Sequence, residues 1–293
     1  MKVRISKKVD LTKYQIFDLR YEHWMMDLHD QKVKQNIIDN FQPVTVHDNM
    51  FSEEEIEWLY GYAFSRCGTV RHNANGTIFA SMNLEGAYKK FADRINEICP
   101  GAENAPVVGG NFFITLDQYG LHNDSTRESD WKNTLDETPI NHEMRKYVPW
   151  RNVIIPLWTN PSGIESHAVF FEQRHVDYAN VYNHGMKKGQ ETVTTYPIVD
   201  NHADIEFHTL DGSVKTGEDN LAPYDKEHFE KYLYYTPYRR LTGLTPETTC
   251  NWTPGSPIVF DAVQLHATNK GYPDNQWRNK MGLLFTFLRE VDG

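Results

Sequence analysis

Three short stretches of the chain set a histidine and an aspartate two residues apart: His122 and Asp124 in YGLHNDS, His175 and Asp177 in RHVDY, and His202 and Asp204 in NHADI. Imidazole nitrogens and carboxylate oxygens suit first-row divalent metals. Two histidines and one carboxylate on one face of iron(II) leave positions open for other ligands. In a strand, residues i and i+2 project to the same side, so His-x-Asp offers both donors to one face. With thirteen histidines in 293 residues, such pairs also arise by chance, and the neighbourhood of each must choose among them.

NFFITLDQYG reads as a strand running into His122 and Asp124. Far downstream, GSPIVFDAVQLHATNKG reads as a second strand that delivers His266 into a polar turn. KMGLLFTF then alternates, with Met281, Leu283, Phe285 and Phe287 on one face and Lys280, Gly282, Leu284 and Thr286 on the other. A lysine entering an inner face beside a glycine leaves room for a ligand and supplies an ammonium to anchor its carboxylate. Arg278 has the same strand parity and competes for that role. Tyr119, three residues before His122, could donate to the same carboxylate or only cap the core. The His175 pair follows the strand SHAVFFEQR at a workable spacing from His266, but choosing it strands NFFITLDQYGLHND without a purpose. The His202 pair has no clear strand leading in. For both, the ordinary reading is loop histidines with hydrogen-bonding aspartates. Trp150, Trp158 and Trp277 read as packing, and Asn269 as a turn residue.

The elements that must position these residues change character along the chain. Residues 1–105 read mainly as a helical support. Ser52 and Glu55 form a capping box, followed by Ile56, Leu59, Tyr60 and Ala63 at helical spacing. Leu84, Tyr88, Phe91, Ile95 and Ile98 make a second stripe that Pro100 ends. Over 106–290 the period shifts towards two. VVGGNFFITLDQYG, RNVIIPLWTNP, SHAVFFEQ, GSPIVFDAV and NKMGLLFTFL are short β-branched or aromatic runs, as two packed antiparallel sheets or a squashed barrel would use. Residues 172–250 are polar, Tyr-rich and weakly periodic apart from one helix in YDKEHFEKYLYY, and read as an insertion or lid. The whole is one domain, 1–293.

Composition narrows the function classes. A formal net charge of −10 argues against general affinity for nucleic acid or an anionic membrane. Cys67, Cys99 and Cys250 fit neither a disulfide framework nor a zinc pattern. With no apolar run after the N-terminal basic residues and no stretch of membrane-spanning length, the expectation is a soluble, cytoplasmic protein. Oligomeric state leaves no mark.

The order His122-x-Asp124, His266, Lys280, set on those strands, resembles the 2-oxoglutarate and iron(II)-dependent oxygenase superfamily, most closely its prolyl 4-hydroxylase and phytanoyl-CoA hydroxylase branches. VTVHDNMFSEEEIEWLY is similar to the leading strand and helix of the prolyl hydroxylase branch. The likeness runs from about residue 43 to 288 with 172–250 as a gap. It implies a double-stranded β-helix (jelly-roll, cupin-like) core with helices packed on it. His122, Asp124 and His266 would hold iron(II), 2-oxoglutarate would be the cosubstrate, and Lys280 or Arg278 would pair with its far carboxylate. Many relatives carry arginine, with serine two residues on, where this chain has Lys280 and Gly282. The resemblance further implies consumption of molecular oxygen, release of succinate and CO2, and hydroxylation of a small-molecule or peptidyl substrate, since halogenases of the superfamily lack the carboxylate that Asp124 supplies. Two alternatives stay open. One is a metal-dependent hydrolase or isomerase on the same ligands, for which Lys280 has no purpose. The other is a non-catalytic β-sandwich binding module.

Overall fold

The computed structural model describes residues 31–72, 77–82, 85–104, 107–115, 120–124, 147–159, 165–176, 202–268 and 280–290. Helix α1 (Gln31–Ile38) and the short strand β1 (Thr45–Val46) lead into α2 (Glu53–Arg66). The capping box forms: Glu55 N donates to Ser52 Oγ at 3.3 Å, and Ser52 N donates to Glu55 Oε2 at 2.9 Å. Between α2 and α3 (Glu85–Ile98) stands a hairpin, β2 (Cys67–His72) and β3 (Thr77–Met82), inside the segment that the sequence reads as mainly helical. Its pairing with β4 (Val107–Thr115) is a long-range contact, so no local pattern announces it.

Beyond β4 come β5 (Tyr147–Thr159), β6 (His167–Arg174), β7 (Phe207–His208), β8 (Val214–Lys215), β9 (Pro246–Asn251), β10 (Ile258–Asp261), β11 (Gln264–Thr268) and β12 (Lys280–Glu290). A seven-stranded antiparallel sheet runs β1-β10-β5-β12-β4-β3-β2. A second sheet runs β11-β6-β7-β8, with β9 also paired to β6. His122 forms an isolated antiparallel bridge with His266, adding one pass beside β11. The chain therefore alternates between sheets, with β4-β12-β5-β10 adjacent in one and His122-β11-β6-β9 adjacent in the other. That order is a double-stranded β-helix, the jelly-roll form of sheet closure.

Three apolar layers follow from strand alternation. Helices α2 and α3 pack through Leu59, Ala63, Tyr88, Phe91 and Ile95 on the outer face of the large sheet, against Met281, Leu283, Phe285 and Phe287. Phe113, Ile154, Leu284, Ala168, Phe170, Trp252 and Phe260 fill the space between the sheets. Val169, Phe171, Leu265 and Ala267 point the other way, into a third core built with Ile205, Phe207, Tyr224, Leu233, Leu241 and Leu244.

That third core answers what much of the insertion does. Its described part closes over the outer face of the small sheet, where Leu121 and Leu265 are the immediate neighbours of His122 and His266. Packing there holds the backs of both histidine-bearing segments. Its one expected helix is a turn of α-helix, Lys226–His228, running into a π-turn, Phe229–Leu233. Residues 177–201 of the same segment lie outside the described residues.

GSPIVFDAVQLHA departs from the expected single strand. It splits at Ala262–Val263 into β10 in the large sheet and β11 in the small one, so His266 sits mid-strand and not in a turn. No glycine or proline marks the break; a buried ion cluster does. Asp261 at the end of β10 accepts from Arg151 Nη1 at 2.7 Å and from Arg174 Nε at 2.8 Å, and Arg174 Nη1 donates to Glu247 Oε2 at 3.0 Å. Arg174 Nη2 also donates to Gln42 O at 3.0 Å, tying the segment before β1 to both sheets. Among the described residues, no helix is long and apolar enough to cross a membrane.

Candidate metal centre

His122, Asp124 and His266 come together between the sheets, their ligand atoms all within 4.8 Å of one another. Each is placed by backbone. His122 N donates to His266 O at 2.9 Å, His266 N donates to His122 O at 2.7 Å, and Asp124 N donates to Ala262 O at 2.9 Å. The bridge locks the two histidines side by side, with ring centroids 3.9 Å apart.

Side-chain contacts then fix which atoms face inward. His122 Nδ1 lies 2.7 Å from Gly120 O and His266 Nδ1 lies 3.0 Å from Gln264 O. Nδ1 is thereby the protonated nitrogen of each ring, and Nε2 carries the lone pair. His122 Nε2 is 3.7 Å from Asp124 Oδ1, and His266 Nε2 is 3.6 Å from Asp124 Oδ2. Burial lowers the pKa of both imidazoles, and for His122 the neighbouring His266 adds to the effect. The shift favours the neutral form, the one that binds metal. Burial raises the Asp124 pKa, a cost that a bound divalent cation would reverse. Two imidazoles and a carboxylate fit iron(II), and Phe170 and Phe260 pack on the His266 ring at centroid distances of 5.6 and 4.9 Å, stiffening it.

Lys280 enters the same interior at the start of β12 with 0 % exposure. Its Nζ donates to His167 O at 3.2 Å and lies 4.2 Å from the Trp252 ring centroid. Among the described residues it has no carboxylate partner, and burial pushes its pKa down to about 7. Gly282 has a steric reason to be glycine: a Cβ there would lie 2.7 Å from both Phe113 Cζ and Trp252 Cζ2. Trp252 is itself pinned, donating Nε1 to Trp158 O at 3.2 Å and Met281 O at 3.1 Å. Room that a side chain at 282 would need is filled by the ring under the ammonium. Gly282→Ala is accordingly expected to cost about 1–3 kcal/mol by overpacking and to shift Trp252 from Lys280. Thermal denaturation and the cosubstrate KM would register both effects, and an unchanged melting temperature would contradict the crowding.

The other candidates fall elsewhere. His175 N donates to Val263 O at 3.0 Å, and its Nδ1 lies 3.3 Å from Glu206 O. His202 Nδ1 lies 2.8 Å from Thr242 O. Both are buried and not at the surface, and their rings sit on the outer side of the small sheet, packed edge-on against Phe207. Tyr119, Arg278, Asp177, Asn269 and Trp277 lie outside the described residues. Trp150 and Trp158 pack against the helix-side core. Two contributors escaped the sequence reading. Trp252 gave no signal. Asn152 did: it is a lone amide in the apolar run RNVIIPLW, at a parity facing inward, and asparagine is depleted from strands.

No protein-family model matches the chain, and no curated protein matches it. Among solved structures, it is similar to the non-heme α-ketoglutarate-dependent epimerase SnoN from nogalamycin biosynthesis, at 8 % identity over 88 % of this chain and 84 % of that one, TM-score 0.44. A Pseudomonas putida prolyl-4-hydroxylase matches at 10 % identity over 87 % and 98 %, TM-score 0.40. HygX from Streptomyces hygroscopicus, with nickel, 2-oxoglutarate and hygromycin B bound, matches at 12 % identity over 89 % and 87 %, TM-score 0.41. Likenesses this distant carry no weight for the chemistry, which rests on the side chains above.

Proposed function

We propose that the chain is an iron(II)- and 2-oxoglutarate-dependent dioxygenase that hydroxylates a C–H bond of a small-molecule or peptidyl substrate and releases succinate and CO2. One observation carries the reading: a two-histidine, one-carboxylate cluster shares its interior with a fully buried lysine that has no carboxylate partner among the described residues. An unpaired buried ammonium is costly, and the cost is relieved by an incoming anion. A hydrolase or isomerase on the same ligands leaves Lys280 unexplained, and a binding module leaves both features unexplained.

Iron(II) with 2-oxoglutarate and oxygen supplies the oxidising chemistry when bound. The chain holds the parts. His122 and His266 present neutral Nε2 atoms because backbone carbonyls engage Nδ1. Asp124 supplies the anionic donor, and Lys280 offers its charge to the far carboxylate of the cosubstrate. Phe113, Ile154, Phe170, Phe260 and Leu284 line the space between the sheets with apolar surface, which limits water around the reacting groups. Lysine as the anchor favours the prolyl 4-hydroxylase-like branch. The test is succinate formation with iron(II) and 2-oxoglutarate across a panel of candidate substrates. A protein that binds neither iron(II) nor 2-oxoglutarate, and gives no succinate even in uncoupled turnover, would refute the reading.

A further inference from the structure

Asn152 lies on β5 at 0 % exposure, in register with Phe260 on one side and Thr286 on the other. Its Nδ2 donates to Asp124 Oδ2 at 2.7 Å. The opposite amide orientation would set Oδ1 against a carboxylate oxygen with no proton between them, so the assignment of N and O follows from the contact. Held this way, Oδ1 is buried beside the same carboxylate and has no hydrogen-bond partner among the described residues. A buried amide oxygen without a donor costs about 1–3 kcal/mol. Leucine would fill the place without that cost. The residue is poor for the strand, poor for the core, and bonded to the one anionic member of the metal cluster.

We propose that Asn152 is a positioning residue of the metal centre. Its N–H holds Asp124 in the orientation that faces both His122 and His266, and its Oδ1 accepts from a water held beside that carboxylate. Of the two carboxylate oxygens, Oδ2 takes the amide proton. Without the contact, Asp124 would rotate among several orientations, and cation binding would have to restrict it again. This inference deepens the metal-centre reading and rests on it.

The test titrates the full-length protein with cobalt(II), a spectroscopically visible probe, and measures the melting temperature of the metal-free form. Asn152→Leu is similar in size and lacks both polar atoms. Loss of a partner in the outer layer of a metal site typically weakens binding by about ten- to a hundredfold. That weakening is expected for N152L, with an altered cobalt(II) visible spectrum and a metal-free melting temperature equal to or above wild type. A purely structural asparagine predicts the reverse, a lowered metal-free melting temperature with cobalt(II) affinity unchanged, and that result would overturn the proposal.

Asn152→Asp is a second probe of the same contact. It keeps the shape but places two carboxylates together, so they would share one proton. Cobalt(II) affinity and spectrum are therefore expected to change in N152D, and values equal to those of wild type would place the two side chains apart and equally overturn the proposal. Should wild-type protein itself fail to bind cobalt(II), the metal-centre reading falls, and this inference with it. Should wild type and N152L bind alike, only this inference falls.

Discussion

Alanine at His122, Asp124 or His266 is expected to reduce 2-oxoglutarate turnover by at least about a thousandfold, well beyond the ten- to hundredfold that outer partners of a metal contribute. Each supplies one of three ligand atoms gathered within 4.8 Å, and no fourth histidine, cysteine or carboxylate joins them among the described residues. The backbone bridge between His122 and His266 uses main-chain atoms, so the bridge itself survives side-chain removal. His266→Ala also forfeits the ring contacts with Phe170 and Phe260, so its melting temperature should fall more than that of Asp124→Ala. Metal titration, circular dichroism and succinate formation on each variant separate loss of the ligand from loss of the fold. Near-normal turnover in any of the three would exclude that residue from the metal.

What the sequence made legible was whatever depends on alternation. The parity of KMGLLFTF holds, with Lys280, Gly282, Leu284 and Thr286 facing inward and Met281, Leu283, Phe285 and Phe287 meeting the helices. The capping box and both helical stripes are equally local, and they form, apart from Leu84, which lies outside the described residues. The choice of His122 over His175 rested on strand supply, and the structure sets His175 on the outer side of the small sheet. Contacts distant in sequence were not legible. The split of GSPIVFDAVQLHA depends on Arg151 and Arg174 converging on Asp261, and the β2–β3 hairpin depends on an edge offered by β4. The packing of the insertion was illegible for a similar reason. Its apolar residues are spread so thinly through 202–244 that no period shows, yet they form one core with Val169, Phe171, Leu265 and Ala267 of the small sheet. The described part of that insertion or lid packs on the back of the small sheet.

Lys280→Ala is expected to raise the 2-oxoglutarate requirement by about a hundredfold or more, corresponding to the 3–5 kcal/mol lost when one partner of a buried ion pair is removed, while metal binding persists. Arg278→Ala is expected to do much less. The reverse ranking would move the anchor to Arg278. The pH dependence offers an independent check. In the cosubstrate-free protein, burial lowers the Lys280 pKa to about 7, whereas an unfolded lysine titrates near ~10.4. Between those values the unfolded state binds more protons, so wild-type stability should rise with pH across the window and level off above it. Lys280→Ala should lack that rise. Binding of 2-oxoglutarate restores a carboxylate partner and favours the charged amine, so binding at pH 8 should take up a proton, measurable as a buffer-dependent heat in calorimetry. A lysine already paired with a protein carboxylate would stay charged throughout, and binding would then proceed without proton uptake. That result would remove the anchor from Lys280 even if the alanine variant were impaired.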